Sequence, residues 1–188
     1  LGALHRLDIL HRDIKPANLH LDTAGKLRVL DLGVAHCPAC PARAAGEVPG
    51  TPSFLAPELF AGARFGTRAD LYAAGVTLYH LLTRKYPYGE VEPFQHPRFG
   101  EPVPPSRYRP DIPPWLENIL LKACARNPEA RFETAEEFLV ALERGEAGRL
   151  SRPRPTPAVE RDPARFWQGV ALVALVFNLL LAYLLVAG

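Results

Sequence analysis

A mainly α-helical domain with one small β-hairpin, followed by a linker and a single transmembrane helix, is the architecture predicted for these 188 residues. Three observations carry that expectation. The run from Arg68 to Leu82 is apolar nearly all round, and a helix without a polar face belongs at the centre of a domain. Two short apolar runs, Leu19-His20-Leu21 and Lys26-Leu27-Arg28-Val29-Leu30, flank the turn cluster Asp22-Thr23-Ala24-Gly25 and so read as a hairpin. From Phe166 to Gly188 no charged side chain occurs, over a length that spans a bilayer as a helix.

Taken in order, Leu1 to Leu10 reads as the last turns of a helix, and the hairpin follows. The stretch from Val34 to Gly50 is a loop. After Ala56-Pro57-Glu58 comes the central helix, and then a Pro-rich, irregular segment from Pro87 to Pro114 that leaves room for a short helix at most. Trp115 to Ala125 and Thr134 to Leu142 restore helical spacing, the second opened by a Thr134-x-x-Glu137 capping box. The domain is placed at residues 1–145 and an Arg/Pro-rich linker at 146–165. The span is placed at 166–188; a buried core helix is the plain alternative.

Arg149, Arg152, Arg154, Arg161 and Arg165 lie on the N-terminal side of the span and no Arg or Lys lies beyond it. The domain is therefore expected on the cytoplasmic side of the membrane in a single-pass protein, and the Ala/Arg/Leu bias suggests a bacterial source, hence the inner membrane. Phe166, Trp167 and Tyr183 suit the two interfaces. Ala174, Asn178 and Ala182 are spaced by four and share one helix face, a candidate for pairing two chains through an Asn-to-Asn hydrogen bond. A lone Asn tolerated in a monomeric anchor is the other reading. Net charge is +2, which makes no case for a nucleic-acid partner. Three Cys and no signal-like N-terminus point to a reducing setting for the domain.

The chemistry is concentrated in His11-Arg12-Asp13-Ile14-Lys15-Pro16-Ala17-Asn18, in Asp31-Leu32-Gly33 and in Ala56-Pro57-Glu58. Phosphoryl transfer needs an acceptor hydroxyl held in place, a cation near the phosphate and Mg²⁺ fixed by oxygen ligands. Asp13 can take the hydroxyl proton, Lys15 can reach the γ-phosphate, and Asn18 and Asp31 can offer oxygens to the metal. Each residue alone has a structural reading: Asp13 and Asp31 as caps or turn formers, Lys15 as a surface charge. Their order and spacing together argue against it. Pairing the two hairpin runs would bring Asn18 and Asp31 to the same end of the ribbon.

These motifs resemble the catalytic half of eukaryotic-like Ser/Thr protein kinases. The resemblance covers residues 1 to about 145 and implies a kinase C-terminal lobe that uses ATP and Mg²⁺ and acts on protein substrates. It implies that Leu19 and Leu21 lie under the adenine ring, with ordinary core packing as the alternative. It further implies that Thr51 contacts Asp13 and the substrate hydroxyl, that Asp70 of the Asp70-x-x-x-x-Gly75 element braces the catalytic loop from below, and that Arg131 pairs with Glu58. Asp70 as a plain N-terminal helix residue is the alternative there. Leu32 stands where many relatives have Phe and is expected to join His11 in a hydrophobic column.

The family's ATP-clamping N-lobe would precede His11, where this chain has ten residues, so the expectation is a fragment inactive by itself. The middle segment and apolar tail are similar to the kinase half of bacterial proteins that also carry a metal-dependent phosphatase; no residue here shows phosphatase chemistry. The competing class is a non-catalytic kinase fold tethered to the membrane as a binding module.

The Val34–Gly50 loop contains no Ser, Thr or Tyr, although Arg12 in many such kinases pairs with a phosphorylated loop residue. Either Glu47 supplies a permanent charge or Thr51 and Ser53 are modified. Cys37-Pro-Ala-Cys40, beside His36, has a metal or redox spacing, but no second pair follows. Two exposed thiols are the favoured reading, a reversible disulfide the next.

Overall fold

The computed structural model describes residues 1–37, 50–93 and 97–145, all within the first of the chain's two units, Leu1–Arg152. Its first element, α1 (Gly2–His5), is a single turn. The chain leaves it through Asp8 at a positive φ of 55°, and Leu10 then pairs with His36 through two backbone bonds of 2.9 and 2.8 Å. A 3₁₀ turn at Pro16–Asn18 starts on proline, whose missing N–H leaves no donor unsatisfied at a helix start.

That turn delivers the chain into β1 (Leu19–Leu21), which pairs antiparallel with β2 (Leu27–Val29) in the register Leu19↔Val29 and Leu21↔Leu27. Asp22 organises the connection. Its Oδ1 accepts from the backbone of Ala24 and Lys26, and its Oδ2 from the Arg28 Nε. Gly25 takes φ +75°, a conformation that costs a side-chain-bearing residue about 1 kcal/mol or more.

The cross-strand register places Leu19, Leu21, Leu27 and Val29 on one face of the ribbon. That face is largely uncovered: Leu21 is 64 % and Leu27 56 % exposed. Ordinary core packing therefore does not explain Leu21. Leu32 is also exposed, at 54 %. It does not enter a hydrophobic column with the fully buried His11, because the chain turns at Asp31 and carries the next side chain outward.

The helical base consists of α2 (Pro57–Phe60), α3 (Thr67–Thr83), α4 (Pro114–Ala123) and α5 (Ala135–Gly145). As its all-round apolarity predicts, α3 is central. One flank packs Tyr72, Ala73 and Val76 against Ile14 and the 54–59 segment; the other packs Leu71 against Ile119 of α4 and Phe138 of α5. Gly75 permits this approach, since a Cβ there would lie 2.6 Å from the Ala123 Cβ. Between 87 and 114 the described residues hold only a 3₁₀ turn, Pro105–Arg107.

At the start of α5, Thr134 Oγ1 accepts from the Glu137 N–H at 3.0 Å. The return arm of the expected capping box lands one residue earlier, with Glu137 Oε2 accepting from the Glu133 N–H at 2.7 Å. Among the described residues no helix is long and apolar enough to cross a membrane. The linker at 146–165, the run at 166–188 with Ala174, Asn178 and Ala182, and Glu47 and Cys40 all lie outside the described residues.

Candidate active site

Four of the expected residues meet at Asp13. Its Oδ1 accepts from the backbone N–H and the hydroxyl of Thr51, both at 3.1 Å. Its Oδ2 accepts from the Lys15 Nζ at 2.7 Å and from the Asn18 Nδ2 at 3.1 Å. Lys15 also donates to the Thr51 Oγ1 at 2.8 Å. Burial by itself would raise the Asp13 carboxyl, but Lys15, as donor and as charge, together with Thr51 and Asn18, outweighs that and holds it below its ordinary value of 3.8. The result is a half-buried carboxylate kept ionised at neutral pH, with an ammonium and a hydroxyl beside it.

The loop that carries Asp13 is fixed from below. Asp70, in the first turn of α3 and fully buried, accepts from the His11 N–H at 2.8 Å through Oδ2 and from the Arg12 N–H at 2.9 Å through Oδ1. It is not a cap for α3, which starts from Gly66 without a side-chain cap. His11, fully buried, accepts from the Asp13 N–H at Nδ1 (3.3 Å) and bonds the Leu30 carbonyl from Nε2 (3.1 Å). A backbone N–H can only donate and a carbonyl can only accept, so the ring is the tautomer protonated at Nε2. It thereby ties the loop that carries Asp13 to the residue just before Asp31.

Arg12 adopts φ +71°, in the left-handed region that non-glycine residues seldom occupy. Its guanidinium lies over the Phe65 ring at 5.6 Å from the centroid. Gly50, at φ +120°, passes so close that a Cβ on it would sit 2.8 Å from the Arg12 carbonyl oxygen.

Asn18 is buried and its Nδ2 donates to the Asp13 carbonyl at 2.7 Å as well as to its carboxylate. That leaves Oδ1 as the atom it can offer a cation. The Leu30 N–H donates to the Asn18 carbonyl at 2.8 Å, so Asn18 and Asp31 do sit at the same end of the hairpin. Asp31 is exposed, at φ +62°, with its Oδ1 accepting from the Gly33 N–H at 2.9 Å. Leu19, half-buried, and Leu21 begin the adjoining ribbon face.

Glu58 and Arg131 form the expected pair, bidentate at 2.8 and 2.6 Å. The remaining Arg131 donors reach the carbonyls of Ala125 (2.7 Å), Arg126 (3.1 Å) and Arg68 (3.3 Å), and the guanidinium stacks on Tyr72 at 4.7 Å. Gly75 lies in the α3–α4 contact. Ser53 is engaged with Val91, its hydroxyl donating to the carbonyl and accepting from the N–H. Cys37 is disulfide-bonded rather than an exposed thiol.

Sequence reasoning missed two supports. His5 of α1 bonds Asp70 Oδ2 at 3.0 Å, and Thr77 donates to the Ile14 carbonyl at 3.4 Å. Thr77 had a readable signal: it is a polar residue two turns after Asp70 on an otherwise apolar helix, hence on the same face. His5 had none.

The family model for the protein kinase domain matches residues 1–140. The chain is 37% identical over 157 residues to the serine/threonine-protein kinase PknB of Mycolicibacterium smegmatis, covering 78% of this chain and 25% of that protein. It is 42% identical over 141 residues to the tyrosine-protein kinase MasK of Myxococcus xanthus, covering 73% of this chain and 22% of that one. A probable serine/threonine-protein kinase of Streptomyces coelicolor is 39% identical over 153 residues, with 74% and 22% covered. The chain thus spans about a quarter of the length of these curated relatives. With the match extending from the first residue through α4 and into α5, and with the Asp13, Asp70 and Arg131 networks inside it, the chain belongs to the protein kinase family.

Proposed function

We propose that this chain is the catalytic lower lobe of a serine/threonine protein kinase that transfers the ATP γ-phosphate to a protein hydroxyl. The observation that carries the reading is the ionised Asp13 carboxylate with Lys15 and Thr51 within 3.1 Å of it. In the reaction the hydroxyl oxygen forms a bond to the γ-phosphorus, the bond to the β-phosphate oxygen breaks, and ADP leaves. Asp13 accepts the hydroxyl proton, and Lys15 offers its ammonium to the transferring phosphoryl group. Thr51, whose N–H and hydroxyl donate to Oδ1 of the same carboxylate, would stand beside the entering substrate hydroxyl.

The donor set fits Mg²⁺, which is characteristically held by one or two protein oxygens together with phosphates and water. Asn18 Oδ1 and the Asp31 carboxylate would hold it, and when bound it neutralises charge on the phosphates. The apolar ribbon face beginning at Leu19 and Leu21 would underlie the adenine.

Residues 166–188 would anchor the chain in a bacterial inner membrane with the kinase domain cytoplasmic, supported by the uncharged length of that run and by Arg149, Arg152, Arg154, Arg161 and Arg165 ahead of it. The face with Ala174, Asn178 and Ala182 would pair two chains; a membrane-helix two-hybrid reporter with equal signal for the native segment and Asn178→Leu would remove that part.

The test is a γ-phosphate transfer assay on the full-length protein with a general protein substrate, followed by phosphoamino-acid analysis. Phosphoserine or phosphothreonine, lost on Asp13→Ala, is expected. Phosphotyrosine as the main product would move the substrate class to that of a tyrosine-protein kinase, the class MasK is named for, and absence of transfer would favour the non-catalytic binding module.

A further inference from the structure

Arg12 sits between His11 and Asp13 in a left-handed backbone conformation, φ +71°. A non-glycine residue persists there only when its surroundings over-determine it. The backbone N–H is held by Asp70, and the carbonyl oxygen faces the close-passing Gly50. The side chain is engaged as well. The guanidinium lies 5.6 Å from the Phe65 ring centroid, inside the range of cation–π attraction. Phe65 lies in the connection between α2 and α3, two residues before α3 begins, and it packs against the core cluster that includes Ile14, Leu55 and Ala56.

Ile14 directly follows Asp13, so the core that seats Phe65 also seats the catalytic loop. The stretch from Val34 to Gly50 has no hydroxyl-bearing side chain. No phosphorylated residue of that stretch can orient Arg12 in this chain. A ring supplied by the domain's own core does not depend on modification.

We infer that Phe65 is a positioning residue of the phosphoryl-transfer site, holding the Arg12 guanidinium over its ring and through it the backbone that presents Asp13. Phe65 touches no reacting atom. The inference rests on the kinase reading only for its kinetic consequence.

The experiment is a double-variant cycle in the full-length protein. Phe65→Leu keeps an apolar side chain and removes the ring; Phe65→Trp keeps a ring; Arg12→Gln removes the cation. Phe65→Leu is expected to lower kcat about fivefold with KM for ATP unchanged, and Phe65→Trp to restore most of it. In the Arg12→Gln background Phe65→Leu is expected to lower kcat no further.

The same cycle read by thermal unfolding midpoint needs no turnover. There the double variant is expected to lose less than the sum of the single variants. Equal cost of Phe65→Leu with and without Arg12, in either readout, overturns the inference, as does a Phe65→Trp variant as impaired as Phe65→Leu. Absence of transfer by the unaltered protein, with coupling still seen in unfolding, would instead count against the kinase reading alone.

Discussion

The two sides of the site are held in different ways. Asp13 stands on a buried platform: Asp70 beneath it is fully buried, and the loop around it packs on α3 through Ile14 and Thr77. Asp31 stands at the end of a two-stranded ribbon whose apolar face is largely exposed, and its carboxylate is bonded to the N–H two residues on. Precision at the proposed proton acceptor therefore comes from the domain core, whereas the candidate metal ligand depends on local turn geometry. A group of the first kind should be sensitive to distant core changes, and one of the second kind should not.

The largest contrast is expected between chemistry and stability at Asp31. Asn tolerates the left-handed conformation that Asp31 occupies, so Asp31→Asn in the full-length protein should lower phosphoryl transfer by at least about 10²-fold while stability moves by less than about 0.5 kcal/mol. Parallel transfer assays and denaturant unfolding check this; a large stability loss would break the comparison. Asp70→Ala should do the reverse in the first instance. It orphans two backbone N–H groups and His5 in the interior, and a destabilisation of about 3–5 kcal/mol is expected from the denaturation midpoint, with activity falling as a consequence.

Smaller effects sharpen the same contrast. Gly75→Ala forces a methyl into Ala123 across the α3–α4 contact and should cost about 1–3 kcal/mol. Gly25→Ala meets nothing within 4 Å, so only its φ of +75° is strained. About 1 kcal/mol is expected, confined to the hairpin by hydrogen exchange.

The weakest effect is in pH. Because the folded Asp13 carboxyl is held below 3.8, its contribution to stability is present above that value and fades as pH falls through the lower folded value. Lys15→Met should shrink this acid-side contribution, and unfolding midpoints followed from neutral pH down into the carboxylate range should show it. An identical acid profile in the variant would remove Lys15 as the cause.

Where residues are close in sequence or carry a strong pattern, the structure matches what the chain announces. The hairpin is set by a local turn cluster, α3 by apolarity nearly all round, and the meeting of Asp13, Lys15 and Asn18 by a loop of six residues. Partners brought together from far apart were legible only where a familiar motif linked them, as for Asp70 with the catalytic loop and Glu58 with Arg131. His5 and Phe65 lie 65 and 53 positions from the partners they meet in space, Asp70 and Arg12, and no spacing rule reaches that far. Leu32 misled for a related reason. Hydrophobicity says that a side chain prefers burial, but the φ of +62° at Asp31 decides which way the next side chain points.

Arg131 has a consequence for how the domain opens. Its five N–H groups join Glu58 of α2, the Arg68 carbonyl in α3 and the carbonyls of Ala125 and Arg126 just past α4. Three segments separated along the chain thus share one side chain, and none can swing away without stranding donors on a charged group in the interior. They should behave as one cooperative unit, so that slow amide exchange at α2, at the start of α3 and past the end of α4 rises in a single opening event rather than in three.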